Sequence, residues 1–149
     1  MPNQFKLEIY TPQKVYQTSL IDSLTVQTEL GQLTILPNHV EFLANVDISV
    51  LIITKNGEEQ HYAVGGGVIH FKSKENTAIL VLHSIETVEE IDEVKVLKAK
   101  QEAEEKLKTQ ISYEEQKEAE LSLRRAINMI NFKHRYKAVS YTHLTLPTI

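Results

Sequence analysis

A chain of 149 residues has room for one domain, or for one domain with an appendage. The net charge of −4 at pH 7 does not give the basic surface that binds nucleic acid, and the lack of cysteine excludes disulfides and thiolate metal sites. No stretch approaches the roughly 20 apolar residues of a membrane-spanning helix, and the first ten residues do not predict a secretory signal.

Charge divides the sequence into three segments. Residues 1–86 carry 14 charged side chains, residues 87–138 carry 22 in equal numbers of each sign, and residues 139–149 carry none. Such a change in composition predicts a change in structure. We therefore expect a first domain over 1–86, a second over 87–138, and a separate tail over 139–149.

The first segment has the pattern of a β domain. Phe5, Leu7 and Ile9 alternate with polar neighbours, and Asn56-Gly57 is a strong hairpin signal. We predict about eight to ten short strands, including residues 5–10, 15–20, 24–28, 33–36, 47–54, 60–64, 68–71 and 77–83. Turn signals every 8–12 residues favour a β-sandwich or flattened barrel with mixed, mostly antiparallel pairing.

Residues 31–45, GQLTILPNHVEFLAN, predict a contact surface. Pro37-Asn38 imposes a turn after a short strand, because proline cannot donate to a sheet and asparagine tolerates the left-handed region. His39 follows, and then the apolar Val40, Phe42 and Leu43. No nucleophile, metal cluster or phosphate loop lies nearby in the sequence, so the pattern indicates binding rather than catalysis.

The second segment changes to a helical period. Thr87-x-x-Glu90 and Ser112-x-x-Glu115 are capping-box patterns, and no Gly or Pro interrupts residues 88–108. We predict two helices of about 20 residues that fold back as an antiparallel hairpin. The predicted apolar faces are Val96, Ala99, Ala103 and Leu107 on the first helix, and Tyr113, Gln116, Ala119, Leu123, Ile127 and Ile130 on the second.

Alanine contributes little apolar area to the first of these faces. Burying a Leu or Val side chain is worth about 1.5–3 kcal/mol, and burying an Ala much less. We therefore expect this helical hairpin to dock weakly and to be able to detach from the β domain.

The tail, VSYTHLTLPTI, fits neither pattern. It is uncharged, Thr-rich and non-periodic, and it looks like translated read-through of a sequencing-library adapter. We predict that residues 139–149 are not native.

The order of features over residues 3–138 resembles one family, the epsilon subunit of F-type ATP synthases. The resemblance is carried by Gly31-Gln32-Leu33 leading to Ile35-Leu36-Pro37-Asn38-His39, by the AVGGGVIHF run that begins at Ala63, by residues 76–82, and by Ile91-Asp92 at the start of the helices. It implies an N-terminal β-sandwich that binds the gamma subunit and the ring of c subunits, coupling proton flow to rotation. It also implies a C-terminal hairpin that extends into the alpha/beta catalytic head and inhibits ATP hydrolysis.

The resemblance further implies a non-catalytic subunit without a cofactor or metal of its own. It would be peripheral to a bacterial cell membrane, on the cytoplasmic side, and would reach that membrane only through its partners. The alternative is a free-standing β-sandwich that binds a ligand or protein and carries a helical oligomerisation arm. A hydrolase has no supporting residues.

The rotor-contact residues that we predict are Glu29, Gln32, His39 and Phe42. For His39 the alternative is a turn histidine that bonds to its own backbone. Glu41 stands where relatives often have proline, so the loop of this chain departs from the family pattern.

The basic end of the second helix provides the predicted regulatory residues, Arg124, Arg125, Lys133 and Arg135, together with Lys137. The resemblance implies that they contact an acidic segment of a beta subunit in the inhibitory state. The alternative is a solvated helix end, where cations suit the helix dipole.

A candidate ATP site consists of Asp92, Lys95 and Arg125. Some bacterial relatives bind ATP through an Ile/Leu-Asp-x-x-Arg-Ala motif and arginines of the second helix. Here Lys95 replaces the motif arginine and lacks its bidentate fork, Val96 replaces the alanine, and Met129 stands at another arginine position. These departures argue against ATP binding.

Two other patterns have simple structural interpretations. Gly65-Gly66-Gly67 lies between two predicted strands, so we expect a bulge or a close backbone approach rather than a phosphate loop. His61, His70 and His83 have no ligand spacing, and we expect them to be ordinary core or surface side chains.

Overall fold

The computed structural model describes residues 4–13 and 18–145, with side chains described as far as Tyr136. The chain divides into two compact units, Met1–Ile85 and Glu86–Ile149. The first is built of strands and the second contains two helices, so each is described by itself.

Eight strands form the first unit: β1 (Phe5–Tyr10), β2 (Ser19–Ile21), β3 (Ser23–Thr28), β4 (Gly31–Ile35), β5 (Phe42–Lys55), β6 (Glu58–Lys72), β7 (Thr77–Leu82) and β8 (Ile85–Glu86). Their order in the sheet is β2-β1-β7-β6-β5-β3-β4, and β8 pairs with β6. Only β1 and β7 pair in parallel among the described ladders. This confirms the predicted mixed, mostly antiparallel β fold.

The two long strands β5 and β6 form the backbone of the unit. They pair in one continuous register from Phe42 opposite Phe71 to Lys55 opposite Glu58. Asn56 and Gly57 close the turn with φ values of 52° and 81°, as a two-residue hairpin with the right-handed strand twist requires. The predicted hairpin is confirmed.

Eighteen buried side chains among the described residues make the core of the β unit, and they come from all eight strands. In β1 the alternation is as predicted, since Phe5, Leu7 and Ile9 are buried while Lys6 and Tyr10 are exposed. Phe5 and Phe71 pack edge to face at a centroid distance of 5.7 Å. These rings lie beneath the loop that follows β4.

The predicted strand lengths were wrong for β5 and β6. β5 begins at Phe42 rather than at residue 47, and β6 joins the two predicted strands 60–64 and 68–71. The glycines between them continue the strand: a Cβ on Gly67 would lie 2.0 Å from the Val81 carbonyl oxygen. The predicted close backbone approach is confirmed. Most of the predicted strand 15–20 lies outside the described residues.

The helical unit contains α1 (Glu93–Leu107) and α2 (Tyr113–Thr145). The predicted start of the first helix at residue 88 is wrong. Glu90 accepts the hydrogen bond of the Thr87 amide at 2.9 Å, but the chain makes only one turn there. The Asp92 carboxylate then accepts from the amides of Val94 and Lys95, at 3.1 and 3.4 Å, and so caps α1.

Ser112 caps α2 as predicted, because the Glu115 amide donates to Ser112 Oγ at 3.2 Å, while Glu115 Oε1 accepts from the Ser112 hydroxyl at 3.3 Å. The predicted face of α2 was partly wrong: Tyr113, Gln116 and Ile127 are exposed, and Ala126 is buried.

The buried or half-buried face of α2 runs through Ala119, Leu123, Ala126 and Ile130, at helical spacings of 4, 3 and 4. On α1, Ala103 is buried, Val96 and Leu107 are half-buried, and Ala99 is exposed. The backbone of α2 continues to Thr145, beyond the predicted end at residue 138. The non-native origin of residues 139–149 stays a prediction.

Candidate functional site

The loop between β4 and β5, residues 36–41, presents two large apolar side chains. Leu36 is 55% exposed and Val40 is 73% exposed. Between them Asn38 adopts a left-handed conformation with φ 63°, which asparagine tolerates better than most residues. The β4–β5 loop therefore has the exposed apolar character expected of a contact surface.

His39 itself is turned toward the protein. Its Nδ1 donates to the backbone oxygen of Val40 at 2.8 Å. Its ring packs edge to face on Phe42 and Phe71, at centroid distances of 5.1 and 5.7 Å. Because Phe71 is fully buried, the imidazole anchors the loop to the core, and the exposed surface belongs mainly to its apolar neighbours.

Glu29 lies in a second turn, between β3 and β4. Asn45 of β5 donates to the Glu29 carboxylate twice, from its amide nitrogen at 3.2 Å and from its side chain at 3.1 Å. Leu30 in the same turn and Leu43 of β5 are exposed, with 78% and 69% of their surface accessible. The turn thus combines a fixed carboxylate with apolar groups.

The four predicted rotor-contact residues lie on neighbouring segments of the β unit. Glu29 and Gln32 lie at the β3–β4 turn, where Gln27 Nε2 donates to Gln32 Oε1 at 2.7 Å. Phe42 opens β5, three residues before the Asn45 that bonds to Glu29, and the ring of His39 packs on Phe42. Glu41 is exposed, and its carboxylate lies 4.0 Å from His70 Nε2.

The open end of the helical hairpin is held by polar contacts from α2 to the start of α1. Lys133 Nζ donates to the backbone oxygen of Ile91, and His134 Nε2 contacts the Glu93 carboxylate. Ile91 and Phe132 are buried, and Phe132 packs against Tyr136 at 4.7 Å between ring centroids. One predicted regulatory residue, Lys133, is therefore engaged within the hairpin.

The three predicted regulatory arginines of α2 differ in their exposure to solvent. Arg124 and Arg135 are exposed. Burial lowers the pKa of the Arg125 guanidinium from its usual value, and repulsion from Arg124 lowers it further. The exposed Arg124 and Arg135 place positive charge on the surface of α2.

The candidate ATP residues are not brought together. Asp92 caps α1 and Lys95 is exposed in the first turn of that helix. Lys133 is the α2 residue that contacts Ile91 beside Asp92, and Arg125 lies eight residues earlier, about 12 Å along the helix axis. This separation, like the changed motif, argues against a site made by these three side chains.

Sequence reasoning missed residues that hold the two turns of the β unit and the open end of the hairpin. Asn45 fixes Glu29, Asn76 bonds to the β4–β5 loop, and Glu93 contacts His134. An asparagine after Lys74-Glu75, between two strands, was a recognisable turn signal for Asn76. For Asn45 and Glu93 the sequence carries no local signal, since their partners lie 16 and 41 residues away.

Within the described residues, no group of three or more acidic or histidine side chains is placed to hold a metal ion. No helix in that part of the chain combines the length and the apolar character needed to cross a membrane.

Comparison with protein families gives two adjoining matches. Residues 4–87 match the β-sandwich domain of the ATP synthase delta/epsilon chain, and residues 89–132 match its long α-helix domain. The chain is 39% identical over 129 residues to the ATP synthase epsilon chain of Pediococcus pentosaceus, covering 84% of this chain and 91% of the relative. It is 34% identical over 126 residues to that of Bacillus licheniformis, covering 85% and 95%.

Solved structures show the same fold. A chain of the Euglena gracilis mitochondrial ATP synthase superposes with a TM-score of 0.70 at 20% identity, covering 88% of this chain and 82% of its own. A chain of the Tetrahymena thermophila enzyme gives a TM-score of 0.60 at 16% identity, covering 86% and 95%. The β domain and helical hairpin together define a delta/epsilon-type subunit. The chain belongs to this ATP synthase family, as an epsilon subunit of the F-type enzyme.

Proposed function

We propose that this chain couples the rotor of a proton-translocating ATP synthase and inhibits ATP hydrolysis through its helical hairpin. In this proposal the β unit binds the gamma subunit and the c-subunit ring. The hairpin reaches the alpha/beta catalytic head when it opens. The subunit is non-catalytic and lies on the cytoplasmic side of a bacterial membrane, attached through its partners.

The observation that supports a regulatory hairpin is its small interior. Among the side chains of α1 and α2 that the structure describes, Ala103, Ala119, Ala126 and Phe132 are buried, with Ile91 just before α1. Three alanines bury little apolar area, so few kilocalories separate the closed hairpin from an open one. An element with two accessible packings is what reversible inhibition requires.

The rotor surface in this proposal has two parts. One is the β3–β4 turn with Glu29 and Gln32, and the other is the β4–β5 loop with His39 and Phe42. The exposed Leu36 and Val40 provide apolar contact area beside the second part. A cysteine placed at His39 or at Gln32 should crosslink to a c subunit, and a crosslink from neither position would contradict this assignment.

Removal of residues 88–138 tests the division of labour between the two units. The shortened chain should still co-purify with gamma and c subunits, because the β core lies entirely within residues 5–85. ATP hydrolysis by the assembled complex should rise, since the hairpin is gone. Unchanged hydrolysis would count against inhibition, and loss of co-purification would favour the free-standing binding module.

Asp92, Lys95 and Arg125 remain a candidate ATP site that a titration can test. The separation of Arg125 from Asp92 predicts no saturable binding of MgATP at millimolar concentration. Saturable binding that Arg125→Ala abolishes would restore the site.

A further inference from the structure

Asn76 connects three segments of the β unit. Its Oδ1 accepts a hydrogen bond from the Asn38 amide at 2.7 Å, in the β4–β5 loop. Its Nδ2 donates to the Gln4 carbonyl at 3.2 Å, and its own carbonyl accepts from the Lys6 amide at 3.1 Å. One side chain therefore links the β4–β5 loop to the start of β1.

The backbone of Asn76 is specialised for this place. It adopts a left-handed conformation with φ 47°, and its amide donates to the Ser73 carbonyl at 3.2 Å to close the turn between β6 and β7. Asparagine tolerates this conformation, and so does glycine. The residue type thus satisfies two demands, a left-handed backbone and an amide that bonds in two directions.

The loop that Asn76 holds would otherwise be open to rearrangement. Asn38 also has a positive φ, and the side chains on either side of it, Leu36 and Val40, are mostly in solvent. Contacts that tie the loop to the β unit include the Asn38–Asn76 hydrogen bond and the packing of His39 on Phe42 and Phe71, and Glu41 approaches His70 to 4.0 Å. These contacts lie on either side of the Asn38–His39 peptide.

We propose that Asn76 is a positioning residue, which fixes the β4–β5 loop in the conformation that presents Leu36 and Val40 to the rotor. The inference rests on the proposed function for the identity of the partner. Its physical basis is preorganisation: a loop that is ordered before binding loses less conformational entropy when it binds. Asn76 does this without contacting the partner itself.

Two substitutions separate the side chain from the backbone. Asn76→Gly keeps access to the left-handed conformation and removes both amide hydrogen bonds. Asn76→Asp keeps an oxygen that can accept from Asn38 and removes the donor to Gln4. Asn56→Gly is the matched control, since Asn56 is another left-handed turn asparagine whose side chain does not bond to the loop.

The experiment measures two quantities on the full chain: hydrogen exchange of the Asn38 amide, and affinity for ATP synthase complexes stripped of this subunit. We expect Asn76→Gly to speed exchange of that amide by about tenfold or more, the effect of losing one hydrogen bond, and to weaken binding several-fold. Asn76→Asp and Asn56→Gly should stay within about twofold of the wild type in both. Thermal unfolding should show that all variants are folded.

The possible outcomes separate the positioning role of Asn76 from the proposed binding of the chain to the rotor. Unchanged Asn38 exchange in Asn76→Gly would overturn the positioning role, and so would faster exchange with unchanged affinity. If the wild-type chain does not bind the stripped complex at all, the proposed function fails, and the role assigned to the loop fails with it.

Discussion

The β unit and the helical hairpin belong to one chain but are stabilised very differently. Eighteen buried side chains from all eight described strands form one continuous core in the β unit. In the hairpin, the side chains described as far as Tyr136 include three buried alanines and one buried phenylalanine from α1 and α2. A unit with a large core and a hairpin with a small one can therefore follow each other directly in one sequence. We infer that the β unit binds the rotor and that the hairpin changes between closed and open states.

The hairpin is also uneven along its length. Its open end holds the larger buried groups, Ile91 and Phe132, and the polar contacts of Lys133 and His134. Toward the bend, small residues such as Ala103, Ala119 and Ser122 line a groove between the helices. Opening should therefore be controlled mainly by contacts at the open end.

The largest expected effect is in the β core. Phe71→Ala removes the ring that packs against Phe5, Phe42 and His39, and such substitutions cost about 3–5 kcal/mol. Chemical denaturation should show that loss in the free energy of unfolding. Leu36→Ala, at an exposed position, should change it by less than about 0.5 kcal/mol. Equal losses in the two variants would contradict the assignment of the core.

Phe132→Ala should affect the hairpin without affecting the β unit. We expect a loss of about 1.5–3 kcal/mol, the value of burying one large side chain, seen as helix melting at lower temperature. Circular dichroism at 222 nm reports on the helices, and hydrogen exchange of β-strand amides reports on the β unit. If both change together, the two units are not independently stabilised.

Glu93→Gln tests the contact between the hairpin ends. His134 is 59% exposed and Glu93 33% exposed at the side chain, so the pair is screened by water. The hairpin should lose less than about 1 kcal/mol, and the population of open hairpins should rise modestly. Distance measurements between spin labels on the two helices would show the change. A larger loss would assign this contact a dominant role.

The smallest effect concerns Asp22 and acid. Hydrogen bonds from the Gln4 side chain and the Gly57 amide lower the pKa of the Asp22 carboxyl from its ordinary 3.8. A carboxyl with a lowered pKa contributes stability above the unfolded-state value, and that stability is lost as pH falls through the folded-state value. Wild type should therefore exceed Asp22→Asn in stability at pH 7, and the difference should vanish at strongly acidic pH. If the stability advantage of wild type over Asp22→Asn grew on acidification, the lowered pKa of Asp22 would be contradicted.

Local patterns in the sequence predicted most of the fold. Alternation identified β1, Asn56-Gly57 identified the β5–β6 turn, and Ser112-x-x-Glu115 identified the start of α2. The predictions failed where contacts between residues distant in sequence determine the bounds of a helix or strand. Thr87 and Glu90 form a capping-box contact, yet the helix begins after Asp92. The interrupted pattern around Gly65–Gly67 is one strand, because a neighbouring strand lies close against those glycines.

The candidate site was only half accessible to sequence reasoning. The β4–β5 loop was predicted from proline, asparagine and apolar residues that are adjacent in the chain. The residues that hold this loop could not be predicted in the same way. Asn76 lies 38 residues from Asn38 in the sequence, and Phe71 contacts His39 only in the folded sheet. The inward packing of His39 could not be read from the turn that carries it.

In the proposed mechanism the hairpin must open to inhibit ATP hydrolysis, and one crosslink between its helices tests this requirement. The chain has no cysteine, so Ala103→Cys and Ala119→Cys, which line the same groove, can be joined selectively by a short bifunctional thiol reagent. The control is the Ala103→Cys single variant treated with the same reagent. After reconstitution with ATP synthase stripped of this subunit, the crosslinked chain should bind but leave hydrolysis uninhibited, and the control should inhibit. Equal inhibition by both would contradict the claim.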